Sequence, residues 1–218
     1  MLPLLLIVIA LVALLVQAVA AVEYLRTSIP EHGISVLMPV HNAGEFLQTA
    51  VHSILAQRDV SLELILIDDH SNDTAIESLN PDPRLRVLRS PERGIVAALN
   101  HGFDNARYPY IARMDGDDIA LPQRLFKQLR LLLDQPNIHI CGTQVEIFSD
   151  SIEIADGYRR YQNWINQQVS STDIEKNFFV ESCIPHPSAM MHRDVLSSLG
   201  GYHDTPWPED YDLSLIHI

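Results

Sequence analysis

Cysteine is nearly absent: Cys141 and Cys183 are the only 2 in 218 residues. They make no disulfide framework and no paired zinc-ligand spacing. Both fall beside apolar stretches that read as strands, where a small side chain serves packing. Basic residues are scarce too. The chain has 15 Lys and Arg against 28 Asp and Glu, a net charge of −13. That balance excludes nucleic acid as a partner, because phosphate backbones are held by basic surfaces. An acidic chain that handles a phosphorylated molecule needs a metal ion or a local basic group to offset repulsion. There is no internal repeat and no low-complexity linker. What remains is 47% hydrophobic and 20% charged, which suits one α/β domain with a membrane segment.

Charge is missing altogether from residues 2–22, a run broken only by Pro3 and Gln17. At about 1.5 Å per residue such a run crosses a hydrocarbon core of about 30 Å. Ala18-Val19-Ala20 offers a signal-peptidase-like site. No basic segment precedes the run, however, and the run is longer than a signal core. Residues 1–26 are therefore read as a membrane anchor, with a cleaved signal segment as the alternative. Arg26, the first basic residue, lies just after the span and favours the C-terminal domain on the cytoplasmic side.

From residue 32 a strand–helix alternation begins. Residues 34–38 form a short apolar strand that Pro39 ends, and residues 41–44 a turn. Phe46, Leu47, Ala50, Val51, Ile54 and Leu55 recur at helical spacing. Residues 62–67 are apolar enough for a strand buried on both faces, as in a parallel sheet. A third strand is expected over 84–89, a helix over 94–106 and a fourth strand over 110–114. Pro122 suits the first turn of the next helix. Another strand element is expected over 138–148, a strand over 188–191, and a short helix over 195–199 stopped by Gly200 and Gly201. The layout is α/β, with helices covering a mostly parallel sheet.

The chemistry concentrates after the fourth strand. Asp115, Asp117 and Asp118 place three carboxylates within four residues, and Gly116 lets the backbone turn between them. Such a cluster repels itself unless a cation neutralises it. Mg²⁺ and Mn²⁺ take oxygen ligands and commonly bridge one or two carboxylates to phosphates. Any D-x-D tripeptide alone is more often a solvated loop. Position shifts the balance, because ligands of open α/β sheets bind at the carboxyl ends of strands. Residues 39–44 and 68–73 also follow strands, so three loops can share one crevice. Arg93, just before Gly94, could add positive charge near a phosphate.

The segments Val36-Leu37-Met38-Pro39-Val40-His41-Asn42, Leu66-Ile67-Asp68-Asp69-His70-Ser71-Asn72-Asp73 and Arg113-Met114-Asp115-Gly116-Asp117-Asp118 resemble successive motifs of family 2 glycosyltransferases. The likeness continues through Cys183-Ile184-Pro185-His186-Pro187-Ser188 to Pro208-Glu209-Asp210-Tyr211-Asp212-Leu213. Three ordered motifs at family-like spacing make the signal specific.

The resemblance implies a GT-A-type, Rossmann-like sandwich over residues 32–213, preceded by the transmembrane segment. It implies a hexosyltransferase-type enzyme that transfers a sugar from a nucleoside diphosphate sugar, with inversion and with Mn²⁺ or Mg²⁺. The acceptor would be a glycan or lipid-linked hydroxyl in cell-surface polysaccharide or glycolipid synthesis. Pro39, Val40, His41, Asn42, Glu45, Asp68, Asp69, Arg93 and Asp115 would face the nucleotide sugar. Asp115 and Asp117 would hold the metal, and Asp210 would be the catalytic base. His41 stands where the family commonly has tyrosine or phenylalanine, and a neutral imidazole can still stack on a base. Tyr158, Tyr161 and Trp164 could meet sugar faces, although helix packing is the commoner use. His186 could touch the diphosphate or metal, although a lone histidine is more often structural.

After Leu213 the family's helix continues, whereas here Ser214-Leu215-Ile216-His217-Ile218 follows. A C-terminally truncated fragment is the expectation, with residues 214–218 a non-native tail. Three rival readings compete. A phosphoryl-accepting receiver domain leaves the acidic turn unused. A nucleotidyltransferase needs a basic glycine-rich loop, and residues 39–44 hold no Lys or Arg. A protein that binds the donor without turnover is the third.

Overall fold

The computed structural model describes residues 32–149, 153–177 and 179–205. The apolar run 2–22, Asp210 and residues 214–218 lie outside them. The apolar run Ile34–Val40 (β1) is buried along nearly its whole length, which is why polar and apolar side chains do not alternate in it. Leu62–Asp68 (β2), Leu85–Arg89 (β3) and Tyr110–Arg113 (β4) join it in parallel. Two short antiparallel strands, Ile140–Cys141 (β5) and Met190–His192 (β6), complete the order β3-β2-β1-β4-β6-β5.

Helices cover both faces. Leu47–Leu55 (α1) follows a 3-10 turn at Gly44–Phe46. Ile95–Asp104 (α2) links β3 to β4, and Arg124–Asp134 (α3) follows β4. Asp156–Ile165 (α4), Ser171–Asn177 (α5) and Arg193–Ser198 (α6) come later. The strand period of two divides the core. Val36, Met38, Leu64, Leu66 and Ala112 pack with Leu47, Ile54, Leu125 and Leu129 of α1 and α3. Leu37, Ile65, Ile67 and Ile111 pack with Ala98, Leu99, Phe103 and Leu196 of α2 and α6. Each large apolar side chain so buried is worth about 1.5–3 kcal/mol. At Gly102 a Cβ would sit 2.7 Å from Ile67 Cδ1, so a side chain there would have to displace the buried Ile67 for α2 to lie this close to β2.

Several boundaries differ from the sequence reading. β1 runs on through Pro39 to Val40. Leu37 O accepts from Met114 N, so residue 37 faces β4, and so does Pro39 two positions on. The β4 ladder stops at Arg113 opposite Leu37, so the missing proline N–H is not needed there. Pro122 precedes α3 instead of opening it, because Gln123 is left-handed at φ 65. Phe46, read as part of the apolar helical face, is exposed.

The expected strand over 138–148 shrinks to Ile140–Cys141. Its continuation spends its backbone on α4 side chains and the turn after it. Val145 N donates to Asn166 Oδ1 at 2.8 Å, and Ile147 N to Gln162 Oε1 at 2.7 Å. The strand expected over 188–191 starts later, at Met190, because His186–Ser188 closes a 3-10 turn.

Both cysteines are free and buried. Burial is the main cause that pushes the Cys141 thiol up to about 11 and raises Cys183 as well. Neither should react with Ellman's reagent at pH 8 while the chain is folded, because the thiolate is the nucleophile. In guanidinium both should titrate. Rapid labelling of the native protein would contradict this placement.

Candidate active site

The register Val40↔Asp68 and Asp68↔Arg89 aligns the carboxyl ends of β1, β2 and β3. The loops leaving β1 and β2 are bonded together. Asn42 N donates to Ser71 Oγ at 3.1 Å, and Asn72 N to Asn42 Oδ1 at 2.8 Å. Gly44 N donates to Asp73 Oδ2 at 2.9 Å. Val40 has a buried side chain, and its carbonyl accepts from Asp69 N at 2.8 Å. Asn42 is held in the left-handed region at φ 55, a conformation asparagine tolerates.

Asp68 and Asp69 have distinct settings. Asp68 Oδ1 accepts from Ser71 N at 2.7 Å, closing the turn on itself. The two carboxylate oxygens of Asp69 accept from Gly94 N at 2.9 and 3.1 Å. That bond ties the start of α2 to the crevice and brings the adjacent, exposed Arg93 with it. His41 Nδ1 lies 2.7 Å from Asp69 O, and its Nε2 lies 3.1 Å from Asn42 Nδ2. Donation from Nδ1 and acceptance at Nε2 fit the neutral imidazole. Its ring is exposed, as are Asn42 and Glu45.

Gly94 has φ 115 and ψ 146, a region that only glycine occupies without strain. Nothing lies within 4 Å of a Cβ built there, so the cost of a side chain is conformational. Gly94→Ala should destabilise the domain by about 1–3 kcal/mol. A lower urea midpoint at unchanged slope would record it.

The acidic turn follows β4. A Cβ on Gly116 would lie 3.1 Å from Val40 Cγ2 and 3.3 Å from Ala43 Cβ, so this turn packs against the β1 loop. Asp115 is partly exposed and Asp117 exposed. Asp118 is held above the usual carboxylate range by burial first and then by the charges of Asp115 and Asp117. Arg113, buried in β4, donates to Asp115 Oδ1 and, at 2.8 Å, to Met114 O.

The donor set suits a hard divalent cation. It is all oxygen, it lies at a strand end, and it crowds three carboxylates of which Arg113 pairs directly with one, Asp115. Among the described residues no group of three or more His, Cys, Asp or Glu could enclose a metal alone. Two carboxylates plus the phosphates of a bound nucleotide are what such an ion takes.

The three loops expected to converge from sequence do so. Asp210 lies outside the described residues. His186 is buried, with its ring 5.8 Å from that of Tyr202. Tyr158 is exposed on α4, and the Tyr161 and Trp164 rings are 6.2 Å apart. Sequence reasoning missed the parts that brace the loops: Ser71, Asp73, Arg113, Arg124 and Gln128. An arginine inside the apolar β4 run was the available signal.

Residues 35–200 match the model of Glycosyl transferase family 2. The chain belongs to this family. A relative in Escherichia coli, the O-antigen biosynthesis glycosyltransferase WbnJ, is 30% identical over 187 residues, covering 84% of this chain and 70% of that protein. The bifunctional glycosyltransferase pgtA of Dictyostelium discoideum is 31% identical over 194 residues, 74% of this chain and 25% of its own length.

Among solved structures, the Pyrobaculum calidifontis mannosyltransferase PcManGT, in complex with GDP-Man and Mn²⁺, superposes with a TM-score of 0.65 at 21% identity. The match covers 86% of this chain and 51% of that one. TarS of S. aureus, residues 1–349 in complex with UDP-GlcNAc, gives 0.61 at 14% identity, covering 85% and 53%. These likenesses show the GT-A fold. The chain spans about half the length of these two solved chains.

Proposed function

We propose that this protein transfers a sugar from a nucleoside diphosphate sugar to an acceptor hydroxyl, with inversion and with Mn²⁺ or Mg²⁺. The observation that carries the reading is the acidic turn at the carboxyl end of β4, packed against the β1 loop. His41, Asn42 and Asp69 present polar groups and an imidazole face to a nucleotide base and ribose. Asp115 and Asp117 face the diphosphate, with Arg93 at the start of α2. When bound there, the divalent ion supplies charge to the departing diphosphate. Asp210 takes the proton of the acceptor hydroxyl. The solved neighbours hold GDP-Man with Mn²⁺ and UDP-GlcNAc, so a guanine or uracil nucleotide is the first donor to test. The O-antigen relative supports a glycan or lipid-linked acceptor in polysaccharide or glycolipid synthesis. The apolar run 2–22 anchors the protein, with the domain on the cytoplasmic side.

The test is release of nucleoside diphosphate from GDP-mannose and UDP-GlcNAc, with Mn²⁺ and with EDTA. Release that EDTA abolishes supports the reading. Donor-dependent thermal stabilisation without release in the presence of any acceptor would mean a donor-binding protein without turnover.

A further inference from the structure

Among the described residues, two networks built on buried charged side chains lie outside the crevice. The first caps the amino ends of the strands. Glu63 accepts from Ser35 Oγ, Arg86 and Arg107 N, each at 2.7 Å, and its bonds close on themselves. The second lies directly beneath the acidic turn. Arg113, Arg124 and Gln128 are 2%, 9% and 3% exposed.

Their bonds form one chain. Arg124 donates to Arg113 O at 2.7 Å and to Gln128 Oε1 at 3.1 Å. With Arg113 on Met114 O at 2.8 Å, the two carbonyls that lead into Asp115 both rest on guanidinium groups. Gln128 passes the contact on. Its Nε2 donates to Ser188 O at 2.7 Å and to Cys141 O at 3.2 Å. Ser188 closes the His186–Ser188 turn, and its Oγ accepts from Thr143 N at 3.0 Å. Two side chains one turn apart on α3 therefore join the acidic turn to the turn that carries His186.

Stability is a poor account of this arrangement. Desolvation lowers Arg124 to about 10, so burial works against its charge. Buried ionic groups replaced by well-packed apolar ones often leave stability unchanged or higher. What an apolar residue could not do is bond three backbone carbonyls at fixed distances. Catalytic groups held by such a second layer keep geometry that loose turns lose.

We propose that Arg124 and Gln128 are positioning residues for glycosyl transfer, fixing the acidic turn and the His186–Ser188 turn in one relation. The proposal rests on the donor chemistry above, but its geometry can be read separately. A misplacement of about 1 Å away from the chemistry can cost about 10²-fold in rate.

The experiment compares the full chain with Gln128→Leu, Gln128→Glu and Arg124→Lys. Three quantities are read: Mn²⁺-dependent GDP and UDP affinity, kcat against KM, and amide exchange by mass spectrometry. Gln128→Leu leaves the Arg124 bond to the turn, so nucleotide affinity and donor KM should hold while kcat falls by about 10- to 100-fold. Gln128→Glu removes the amide donors and should not restore it. Arg124→Lys keeps the charge without the fork and should weaken Mn²⁺-dependent nucleotide affinity. Exchange should rise at residues 185–189 in the Gln128 variants, and at 113–117 and 185–189 together in Arg124→Lys, whose bonds reach both the acidic turn and Gln128. A variant that loses melting temperature but keeps kcat, KM and affinity within two-fold overturns the proposal. Exchange in Arg124→Lys that rises in only one of the two turns overturns it as well. If the parent chain binds no nucleotide with Mn²⁺, the proposed function fails, and the exchange pattern alone decides whether the turns are coupled.

Discussion

Asp117→Ala is expected to abolish the Mn²⁺-dependent part of nucleoside diphosphate binding. Asp117 is the exposed carboxylate of a three-acid turn. Asp115 is already engaged by the buried Arg113, and burial, then the charges of Asp115 and Asp117, push the half-buried Asp118 carboxyl above its usual range. Asp117 is therefore the acid with the fewest competing claims. Removing even a supporting partner of a metal ligand costs about 10- to 100-fold in affinity, so losing the ligand should exceed that. A ligand at about 100 times its Kd stabilises the native state by about 2.7 kcal/mol. For a domain of this size that raises Tm by about 5–10 °C. The substitution should erase the part of that shift which depends on Mn²⁺. It should leave unliganded stability intact or slightly higher, because one repelling charge is gone. Unchanged Mn²⁺-dependent affinity in calorimetry would sink the assignment and move the metal to Asp115 with Asp118.

The centre of the sheet was legible because its signal is local. β1 and β2 are buried along nearly their whole length, so their residues had to be apolar in unbroken runs. α1 and α2 showed their buried faces as a 3.6 period. The acidic turn could be placed because a strand of unambiguous character leads straight into it. Where local signal ended, so did the reading. β5 and β6 are two and three residues long, too short for any period. Residues 143–147 looked like a strand because their backbone partners, Asn166 and Gln162, lie 21 and 15 residues away in sequence. Arg113 was quoted within a motif and given no part to play, because nothing in sequence says that its guanidinium turns inward. Arg124 and Gln128 look like surface residues of an amphipathic helix. Their burial depends on Ser188, 60 residues from Gln128. Packing across that distance is not written in composition.

Donor and acceptor functions fall to different residues, and Asp210→Asn should divide them. The residue lies outside the described residues, and its role is carried over from the family's motif order. The plainer reading of Glu209, Asp210 and Asp212 is that of helix-start acids favoured by the macrodipole. The two readings predict different losses. A helix-start acid supports local stability, about 0.3–1 kcal/mol at an exposed site, and its loss spares turnover. A base acts only on the acceptor hydroxyl, so its loss spares Mn²⁺-dependent donor binding and lowers transfer by about 10² to 10⁴. The asparagine keeps shape and hydrogen-bonding reach but cannot take the proton. Transfer and donor affinity should be measured on the same preparation, with Glu209→Gln and Asp212→Asn alongside. If Asp210→Asn retains transfer within a few-fold while either neighbour is inactive, the base is that neighbour. If all three retain transfer, the proton leaves by another group. The chemistry at Asp115 and Asp117 would then stand without its acceptor half.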